Sequence, residues 1–308
     1  MKKILVTPRS VTRRGHPSLE RLRQAGYEVV FPRPGELPTE VELLALLPGC
    51  IGYVAGVEKI SGRVLEAATG LKAISRNGAG TDAVDGATAE RLGVRVLRAE
   101  GANARGVAEL TLTLMLALAR SLTATDRSIK RGGWERFPGF ELEGRTIGLL
   151  GCGRVGRLVT QLALAFGMRV LAHDPIASWK DAPKGFSYLD RTEIYEQSDV
   201  LSLHCPSITG GNPILDRPTL AKLKKGVLVI NTARGGLIDA DAMLEALESG
   251  HVAGLALDAH DEEPPRDRSL AEHPRVVATS HIGGYTPESI DRAMNMAVDH
   301  LLNELRHA

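Results

Sequence analysis

The sequence is poor in aromatic residues and in cysteine, and it contains no long apolar run. Aromatic residues make up 4% of its 308 residues, and the three cysteines are Cys50, Cys152 and Cys205. Because these cysteines are scattered and odd in number, they suggest neither a disulfide framework nor a zinc site, and we expect no bound metal. No apolar run reaches the roughly 18–20 residues that span a bilayer. These absences argue against a disulfide-rich secreted protein and a membrane protein.

The charge balance also lacks an excess of either sign. The sequence has 38 Lys and Arg against 37 Asp and Glu, a formal net charge of +1. Such a balance argues against a nucleic-acid or membrane-surface partner. The apolar run Ile4–Val6 near the N-terminus is too short for a signal peptide. We therefore expect a cytoplasmic protein of about two domains that acts on a small molecule.

Short β-branched or leucine-rich segments alternate with helical patterns in two consecutive sets. Because these segments lack polar alternation and each precedes a helix, they predict parallel sheets covered by helices on both faces. The fold class expected is α/β, with two Rossmann-like or flavodoxin-like parallel-sheet domains and a cleft between them. The first set is Ile4–Val6, Glu28–Phe31, Ile51–Val54, Lys72–Ser75 and Val94–Leu97. The second set is Thr146–Leu150, Arg169–Ala172, Val200–Leu203, Val227–Ile230, Ala253–Leu257 and Val276–Ala278.

A glycine-rich loop follows the first strand of the second set and opens a helix. The loop reads Gly151-Cys152-Gly153-Arg154-Val155-Gly156. In such a loop Gly151 permits a tight turn, Gly153 lets the backbone approach a pyrophosphate, and Gly156 lets helix and strand pack closely. The N–H groups of the helix N-terminus favour phosphates, and Arg154 is placed to clamp them. The pattern predicts that a dinucleotide binds here.

An acidic residue near the end of the next strand indicates which dinucleotide binds. Asp174 follows the strand Arg169–Ala172 and His173. A carboxylate at this place accepts hydrogen bonds from the ribose hydroxyls of the adenosine and repels a 2′-phosphate. We therefore predict NAD(H) rather than NADP(H) as the cofactor.

Two helices predict where the chain changes domain. The segment Asn103–Arg120 is apolar on nearly all sides, so we expect a buried crossover helix. A last helix starts at Thr286-Pro287 with a cap residue followed by proline, and its apolar stripe suits a return to the first domain. The predicted domains are a discontinuous substrate (catalytic) domain, 1–101 plus 284–308, and an NAD-binding Rossmann domain, 102–283.

Three successive strands of the second set each lead to a polar side chain. Arg234 follows Val227–Ile230, Glu263 follows Ala253–Leu257, and His281 follows Val276–Ala278. The carboxyl ends of parallel strands meet at one edge, where ligands gather. A guanidinium holds a substrate carboxylate, and an imidazole exchanges a proton with a carbonyl oxygen. A carboxylate at the other imidazole nitrogen fixes its tautomer and raises its pKa. The three residues predict a site for hydride transfer.

These motifs resemble those of the D-isomer-specific 2-hydroxyacid dehydrogenases, and within them the phosphoglycerate dehydrogenase branch. The segment Asn231–Asp239 resembles the arginine motif of the family, Gly250–Pro264 its glutamate motif, and Ser280–Gly284 its histidine motif. Upstream, Ser75–Asp82 resembles the loop whose backbone amides hold the substrate carboxylate. The pair Gly133-Trp134 is similar to the segment near the dimer contact of the family.

The resemblance implies an NAD-dependent oxidoreductase that acts on the CH–OH group of a D-2-hydroxy acid and forms a homodimer through its NAD-binding domains. It implies that Arg234 binds and polarises the substrate, that Glu263 orients His281, and that His281 is the general acid and base. Substrate contacts are implied for Asn77, Gly78, Ala79, Arg234 and His281. Further cofactor contacts are implied for Cys205, Pro206, Thr232, Ala233, Asp258 and Gly284.

Some positions depart from the family pattern. Where the family has a threonine shortly after Pro206, this chain has Ile208 followed by Thr209, and His260 occupies a position that is usually aromatic. Arginines that recognise a phosphorylated substrate are not evident, since the basic residues near that loop are Lys59 and Arg76. A glyoxylate/hydroxypyruvate reductase therefore stays an alternative to a phosphoglycerate dehydrogenase-like enzyme. A non-enzymatic, NAD(H)-sensing binding protein that resembles a corepressor is an alternative of a different class.

Overall fold

The computed structural model describes residues 1–176, 178–206 and 211–306, which form two compact units. The N-terminal unit comprises Met1–Asn103 together with the chain from Gly284 onward, and the central unit is Ala104–Gly283. Within the described residues, the N-terminal unit has a sheet of five strands and the central unit a sheet of seven. All neighbouring strands are parallel. The predicted α/β class with two parallel sheets is confirmed.

The described part of the chain forms twelve strands and thirteen α-helices, numbered here in chain order. The strands are β1 Lys3–Val6, β2 Glu28–Val30, β3 Cys50–Ala55, β4 Ala73–Arg76, β5 Arg95–Arg98, β6 Thr146–Leu150, β7 Arg169–His173, β8 Phe186–Tyr188, β9 Val200–Leu203, β10 Val227–Asn231, β11 Val252–Leu257 and β12 Val276–Ala278. The helices are α1 Arg9–Arg14, α2 Leu19–Gln24, α3 Glu40–Leu46, α4 Gly62–Ala67, α5 Gly86–Arg91, α6 Ala104–Ala119, α7 Leu122–Lys130, α8 Arg154–Ala165, α9 Arg191–Gln197, α10 Arg217–Leu220, α11 Ala240–Glu248, α12 Ser269–Glu272 and α13 Pro287–Arg306.

In the N-terminal unit the strand order is β2-β1-β3-β4-β5, which is the flavodoxin-like order. The last helix, α13, packs on this sheet, as its apolar stripe predicts. Buried side chains along one face of α13 join buried side chains of β1, β3 and β4 in one core. From the helix these are Met294, Ala297, Val298, Leu301 and Leu302, and from the strands Ile4, Val6, Val54 and Ala73.

In the central unit the strand order is β12-β11-β10-β9-β6-β7-β8. The order in which successive strands are added to the sheet therefore reverses between β6 and β9. This is the topological switch point, where Rossmann folds bind dinucleotides. Six of these strands are predicted from the sequence. The seventh, β8, has three residues, and its alternating partly exposed pattern differs from the buried runs that mark the other strands.

The crossover helix α6 belongs to the central unit, where it packs on α8 and β10. Nine of its sixteen residues are buried, on several sides of the helix, as the uniformly apolar pattern predicts. Among the described helices, none alone is long and apolar enough to cross a membrane. The consecutive helices α6 and α7 reach that length and apolar character when taken together, but they meet at a bend of 65°.

Candidate active site

The glycine loop packs so closely that two of its glycines admit no side chain. Gly151 follows β6 directly with a φ of 98°, and a β-carbon there would lie 2.7 Å from the carbonyl carbon of His204. A β-carbon on Gly156 would lie 2.5 Å from the carbonyl oxygen of Gly151. These two glycines therefore let the N-terminus of α8 approach the ends of β6 and β9, as the motif predicts.

The third glycine lies at the open end of this loop. Gly153 is the N-cap of α8, no side chain caps the helix there, and a β-carbon on Gly153 would meet no described atom within 4 Å. Arg154 and Val155 are the first two residues of the helix, and Arg154 is exposed. Helix N-terminal N–H groups beside open space suit a phosphate group. This arrangement fits the pyrophosphate of a dinucleotide.

Asp174 lies just past the end of β7, next to the glycine loop. One carboxylate oxygen, Oδ2, accepts the Cys152 N–H at 2.7 Å, and Oδ1 accepts the Ile176 N–H at 2.9 Å. A carboxylate at this place suits the hydroxyl groups of an adenosine ribose. Beside it opens a cavity of about 580 Å³, a size that suits an adenosine. Its lining comprises His173, Asp174, Ser178, Trp179, Lys180, Tyr188, Leu189, Asp190 and Glu193.

Other predicted cofactor residues follow β9 and β10. Cys205, half-buried, and Pro206, exposed, come directly after β9. Ile208 and Thr209, the two residues that raise the question of the family threonine, lie outside the described residues. Thr232 follows β10, and its hydroxyl lies 3.0 Å from the hydroxyl of Thr111 on α6. The structure thus places these residues at the carboxyl edge of the central sheet.

The predicted residue Gly284 lies on the N-terminal unit, at the point where the chain re-enters it. A β-carbon there would lie 3.1 Å from atoms of the Asn103 side chain, so glycine lets these two chain passages run side by side.

His281 and Glu263 form a direct hydrogen-bonded pair. His281 Nδ1 lies 2.8 Å from Oε1 and 2.9 Å from Oε2 of the carboxylate. The two side chains are 47% and 38% exposed, respectively, so both are accessible to solvent. Because Nδ1 faces the carboxylate, Nε2 is the ring nitrogen that faces elsewhere. The predicted pairing of an imidazole with a carboxylate is therefore present, and Nε2 is available to a ligand.

The pair shifts the pKa of each partner in the direction expected for an ion pair. The hydrogen bond from Glu263 raises the pKa of His281 above its ordinary value, against the opposing effects of burial and of the Arg234 charge. Burial acts to raise the pKa of Glu263, but the hydrogen bond and charge of His281 outweigh it, so this pKa is lowered. The arrangement keeps a carboxylate beside an imidazole that titrates above its usual range.

Arg234 extends from the loop that follows β10. Its guanidinium donates to the carbonyl of Ala233 at 2.7 Å, and its charge acts on His281. The next residue, Gly235, packs against the loop that leads to Glu263, since a β-carbon there would lie 2.2 Å from the Asp261 nitrogen. The structure therefore brings Arg234, Glu263 and His281 together at the edge formed by the ends of β10, β11 and β12.

Two buried polar residues hold the loops on which these side chains lie. Asn231, fully buried at the end of β10, donates from Nδ2 to the Arg234 carbonyl at 2.7 Å and accepts the Ala233 N–H at 3.0 Å. Asp258, 2% exposed at the end of β11, accepts the Ile282 N–H at 2.7 Å and the Gly283 N–H at 2.8 Å. The predicted cofactor residue Asp258 is thus engaged by the histidine loop.

The sequence reasoning did not assign roles to Asn231, His260 or Thr279. His260 donates its backbone N–H to Glu263 Oε1 at 3.2 Å, and its Nε2 lies 2.9 Å from the Thr279 carbonyl oxygen. It therefore links the loop that carries Glu263 to the end of β12. For Asn231 the available signal was a polar residue at the end of a buried strand, because a buried polar side chain needs hydrogen-bond partners. His260 and Thr279 are partly exposed and have no such signal.

In the N-terminal unit, the loop after β4 carries the predicted substrate residues. The Asn77 N–H donates to the Ala55 carbonyl at 2.8 Å, and the Gly78 carbonyl accepts the Ala99 N–H at 3.0 Å. Asn77, Gly78 and Ala79 are all partly exposed. The neighbouring Arg76 is 6% exposed and donates from Nε to the Gly80 carbonyl at 3.1 Å. These bonds hold the loop at the carboxyl edge of the sheet.

A buried carboxylate lies next to this loop. Glu58 is 1% exposed, and its Oε1 accepts the Tyr53 hydroxyl at 2.6 Å and the Gly56 N–H at 2.9 Å. Its Oε1 also accepts the Thr7 hydroxyl. The peptide that joins Ala55 to Gly56 therefore bonds the Asn77 N–H on one side and Glu58 on the other. Lys59, the basic residue suggested by the sequence, is exposed.

Comparison with known proteins places this geometry in a wider context. A family model described as "D-isomer specific 2-hydroxyacid dehydrogenase, NAD binding domain" matches residues 112–283. The chain is 41% identical to a D-3-phosphoglycerate dehydrogenase of Rattus norvegicus over 255 residues, which cover 82% of this chain and 48% of the relative. The chain thus spans about half the length of that relative.

Two further similarities cover most of both proteins. The chain is 40% identical to a hydroxypyruvate reductase of Thermotoga maritima over 270 residues, which cover 86% of this chain and 88% of the relative. Among solved structures, a D-lactate dehydrogenase of Aquifex aeolicus, complexed with NAD and lactic acid, superimposes with a TM-score of 0.85 at 27% identity. That superposition covers 99% of this chain and 96% of the other.

Proposed function

Because this chain belongs to the D-isomer specific 2-hydroxyacid dehydrogenase family, we propose that it interconverts a 2-oxo acid and a D-2-hydroxy acid with NAD(H). The predicted family, the NAD cofactor and the enzyme class, an oxidoreductase acting on CH–OH groups, are confirmed at the level of the family. The observation that carries the proposed activity is the pair of His281 and Glu263, with Arg234 on the neighbouring strand end.

The residues around the glycine loop would hold the cofactor. NAD, when bound, supplies the carbon that accepts or gives the hydride. The pyrophosphate would lie against Gly151, Gly153, Arg154, Val155 and Gly156, and the adenosine ribose against Asp174. The resemblance supports further contacts from Cys205, Pro206, Thr232, Ala233, Asp258 and Gly284.

The three polar side chains would manage the charge and the proton of the substrate. The Arg234 guanidinium can pair with the substrate carboxylate and polarise the adjacent carbonyl. In the reductive direction, protonated His281 gives its Nε2 proton to the carbonyl oxygen, and the neutral ring takes a proton back in the oxidative direction. Glu263 holds Nδ1 and stabilises the imidazolium.

We assign substrate binding also to the N-terminal unit, as the resemblance implies. The backbone amides of Gly78 and Ala79 would hold the substrate carboxylate beside Asn77, whose own N–H bonds the Ala55 carbonyl. The partial exposure of this loop is compatible with that role. The N-terminal unit would thus be the substrate domain, and the central unit the NAD-binding domain. The cytoplasmic location stays a prediction.

The two enzyme alternatives differ in whether the substrate carries a phosphate group. Beside the loop, Glu58 places a buried carboxylate at the same sheet edge. Arg76, which begins the same loop, is buried as well, so side chains of both acidic and basic type lie here. The phosphoglycerate dehydrogenase-like activity and the hydroxypyruvate or glyoxylate reductase alternative therefore both stand, and a substrate panel decides between them.

We propose a homodimer formed through the central unit. The segment after α7 exposes apolar side chains: Trp134 is 83% and Phe137 42% exposed. Exposed aromatic side chains of this size mark interaction surfaces. Light scattering of the purified protein should give twice the chain mass, and Trp134→Asp should shift the protein toward the monomer; a wild-type monomer at micromolar concentration would contradict this assembly.

A substrate panel tests the activity. NADH oxidation should be followed with glyoxylate, hydroxypyruvate, pyruvate and phosphohydroxypyruvate, and at least one should be reduced. Hydroxypyruvate and phosphohydroxypyruvate differ by the phosphate, so the ratio of their kcat/KM values decides between the two enzyme alternatives. Binding of NADH without reduction of any 2-oxo acid would favour the binding-protein alternative instead.

The control is a variant that keeps the backbone but lacks the imidazole. His281 has a φ of 55°, a conformation that asparagine tolerates better than most residues. His281→Asn should therefore preserve the loop and NADH binding, while reduction slows by roughly 100-fold or more. Unchanged turnover in this variant would remove His281 from the proposed chemistry.

A further inference from the structure

The backbone of His281 adopts a conformation that few residues with a side chain adopt. Its φ of 55° lies in the left-handed region, which the β-carbon of a non-glycine residue disfavours. Such a conformation persists only where surrounding contacts over-determine it. Contacts around the loop that carries His281 must therefore hold this residue in its left-handed conformation.

The carboxylate of Asp258 supplies these contacts. Its Oδ1 accepts the Ile282 N–H at 2.7 Å and the Thr279 hydroxyl at 2.7 Å, and its Oδ2 accepts the Gly283 N–H at 2.8 Å. Hydrogen bonds to a carboxylate are about twice as strong as those between neutral groups. Residues on both sides of His281 in the chain are thus bonded to one buried side chain.

Asp258 is itself anchored, so it can transmit this constraint. It is 2% exposed, and its backbone N–H donates to the Asn231 carbonyl at 2.9 Å. The approach of the loop is tight, because a β-carbon on Gly283 would lie 2.9 Å from Asp258 Oδ2. The ends of β10, β11 and β12 therefore meet at this carboxylate.

We propose that Asp258 is a positioning residue for the proposed reaction, which fixes His281 in its left-handed conformation and directs its Nε2 toward the substrate. This role, which acts through the histidine loop, is separate from the contact with the nicotinamide that the resemblance implies. The effect of Asp258 on turnover rests on the proposed function. Its effect on the conformation and pKa of His281 does not depend on that function.

The charge of Asp258 also acts on the imidazole. Three charged groups face His281: Glu263 and Asp258, which raise its pKa, and Arg234, which lowers it. His260 lies on the same loop as Glu263 and bonds it through its backbone. Removal of the Asp258 charge should therefore lower the pKa of His281, with Glu263 still in place.

The principal test uses Asp258→Asn in the full chain. The amide has nearly the same shape, but its NH₂ group cannot accept a hydrogen bond from a backbone N–H. We expect kcat to fall by roughly 100-fold, as displacement of a catalytic group by about 1 Å can cause. The dissociation constant for NADH, measured by fluorescence titration, reports separately on the contact with the nicotinamide. The pKa of His281, measured by NMR without substrate, should fall.

Two variants separate the loop from the charge. Gly283→Ala forces a β-carbon against Asp258 Oδ2, so kcat should fall while both acidic side chains remain. Thr279→Val removes one hydroxyl donor and leaves both backbone bonds, so its effect on kcat should be several-fold smaller. Thermal unfolding checks that each variant is folded, and these two variants keep the test decisive if Asp258→Asn does not fold.

The outcomes separate this inference from the proposed function. An Asp258→Asn enzyme that binds NADH tenfold or more weakly, with an unchanged pKa of His281, would show Asp258 to be a cofactor ligand and overturn the proposal. Full turnover in Gly283→Ala would overturn it as well. A wild-type protein that reduces no 2-oxo acid would refute the proposed activity, yet the NMR titration would still decide whether Asp258 controls His281.

Discussion

The backbone carbonyl of Asn231 accepts a hydrogen bond from the N–H of Asp258 at 2.9 Å. This bond joins the loop that carries Arg234 to the strand end that leads to Glu263. The side chains of both residues then bond the loops that follow, Asn231 to Ala233 and Arg234, and Asp258 to Ile282 and Gly283. Because these buried groups hold the loops, Glu263 and His281 can stay exposed to ligand and still be oriented.

Asn231→Asp should destabilise the protein. The new carboxylate oxygen would face the Arg234 carbonyl, which now accepts from Nδ2 at 2.7 Å, and a buried acceptor would lose its donor. We expect the free energy of unfolding in urea to fall by about 1–3 kcal/mol. As a control, Asn295→Asp changes a partly exposed amide that also donates to a carbonyl, and we expect a loss below about 1 kcal/mol. Equal losses at both positions would contradict the role of burial.

Glu263→Gln should move the pH dependence of reduction. Reduction needs protonated His281, so the rate is full below the pKa of His281 and is lost as the pH rises through it. Glu263 raises this pKa, so its neutral replacement should lower the pKa and shift the loss of activity to lower pH. The measurement is kcat/KM for the 2-oxo acid from about pH 5 to about pH 10, a range that spans the titration of an imidazole. An unmoved midpoint would assign this titration to another group.

In the wild-type enzyme, activity should also have an acidic limit. Burial acts to raise the pKa of Glu263, but the hydrogen bond and charge of His281 outweigh it and hold this pKa below its ordinary value. As the pH falls through this pKa, Glu263 takes a proton and its hold on His281 Nδ1 weakens. Reduction should therefore decline as the pH falls below the ordinary pKa of a carboxyl group, and this decline should be absent in Glu263→Gln.

Arg234→Lys should weaken substrate binding more than its conserved charge suggests. A lysine keeps the positive charge but lacks the planar fork that pairs with a carboxylate through two hydrogen bonds. We expect KM for the 2-oxo acid to rise by roughly 10-fold, with NADH affinity unchanged. Steady-state kinetics and a fluorescence titration measure the two effects. Arg154→Lys, on the glycine loop, is the converse control. It should weaken NADH binding and leave KM for the 2-oxo acid unchanged.

Asp174→Ser should relax the discrimination against NADPH. The carboxylate at the end of β7 repels a 2′-phosphate, whereas a hydroxyl does not. Asp174 also accepts N–H groups of Cys152 and Ile176, so the variant should bind NADH somewhat more weakly. The ratio of kcat/KM for NADH over NADPH should fall by roughly 10-fold or more. A constant ratio would place the ribose elsewhere.

Two glycine substitutions in one loop should affect different properties, one the stability of the protein and the other its affinity for NADH. Gly156→Ala puts a β-carbon 2.5 Å from the Gly151 carbonyl oxygen, so we expect a loss of about 1–3 kcal/mol in stability. Gly153→Ala meets no described atom within 4 Å and should leave stability unchanged, but its methyl group would stand where the pyrophosphate approaches. NADH affinity should therefore fall in Gly153→Ala. Normal NADH binding there would contradict the placement of the phosphates.

Much of the fold follows from short-range patterns in the sequence. Eleven strands were predicted from apolar runs followed by helical patterns, and each has a counterpart in the structure. β8 was missed because it is short and half-exposed, so no apolar run marks it. The glycine loop was predictable as a motif. Of the close approaches that require glycine, that of Gly156 to Gly151 is local, whereas that of Gly151 to His204 joins distant parts of the chain.

The order of the chain places Arg234, Glu263 and His281 after successive strands, and parallel pairing of those strands is sufficient to bring them to one edge. The tertiary structure alone decided how they are held: the partners of Asp258 and Asn231, the link from His260 to Thr279, and the left-handed backbone of His281. The physical reason is that element type depends on residues close in the chain. The partner of a buried polar group depends on the register of distant strands, which no local pattern records.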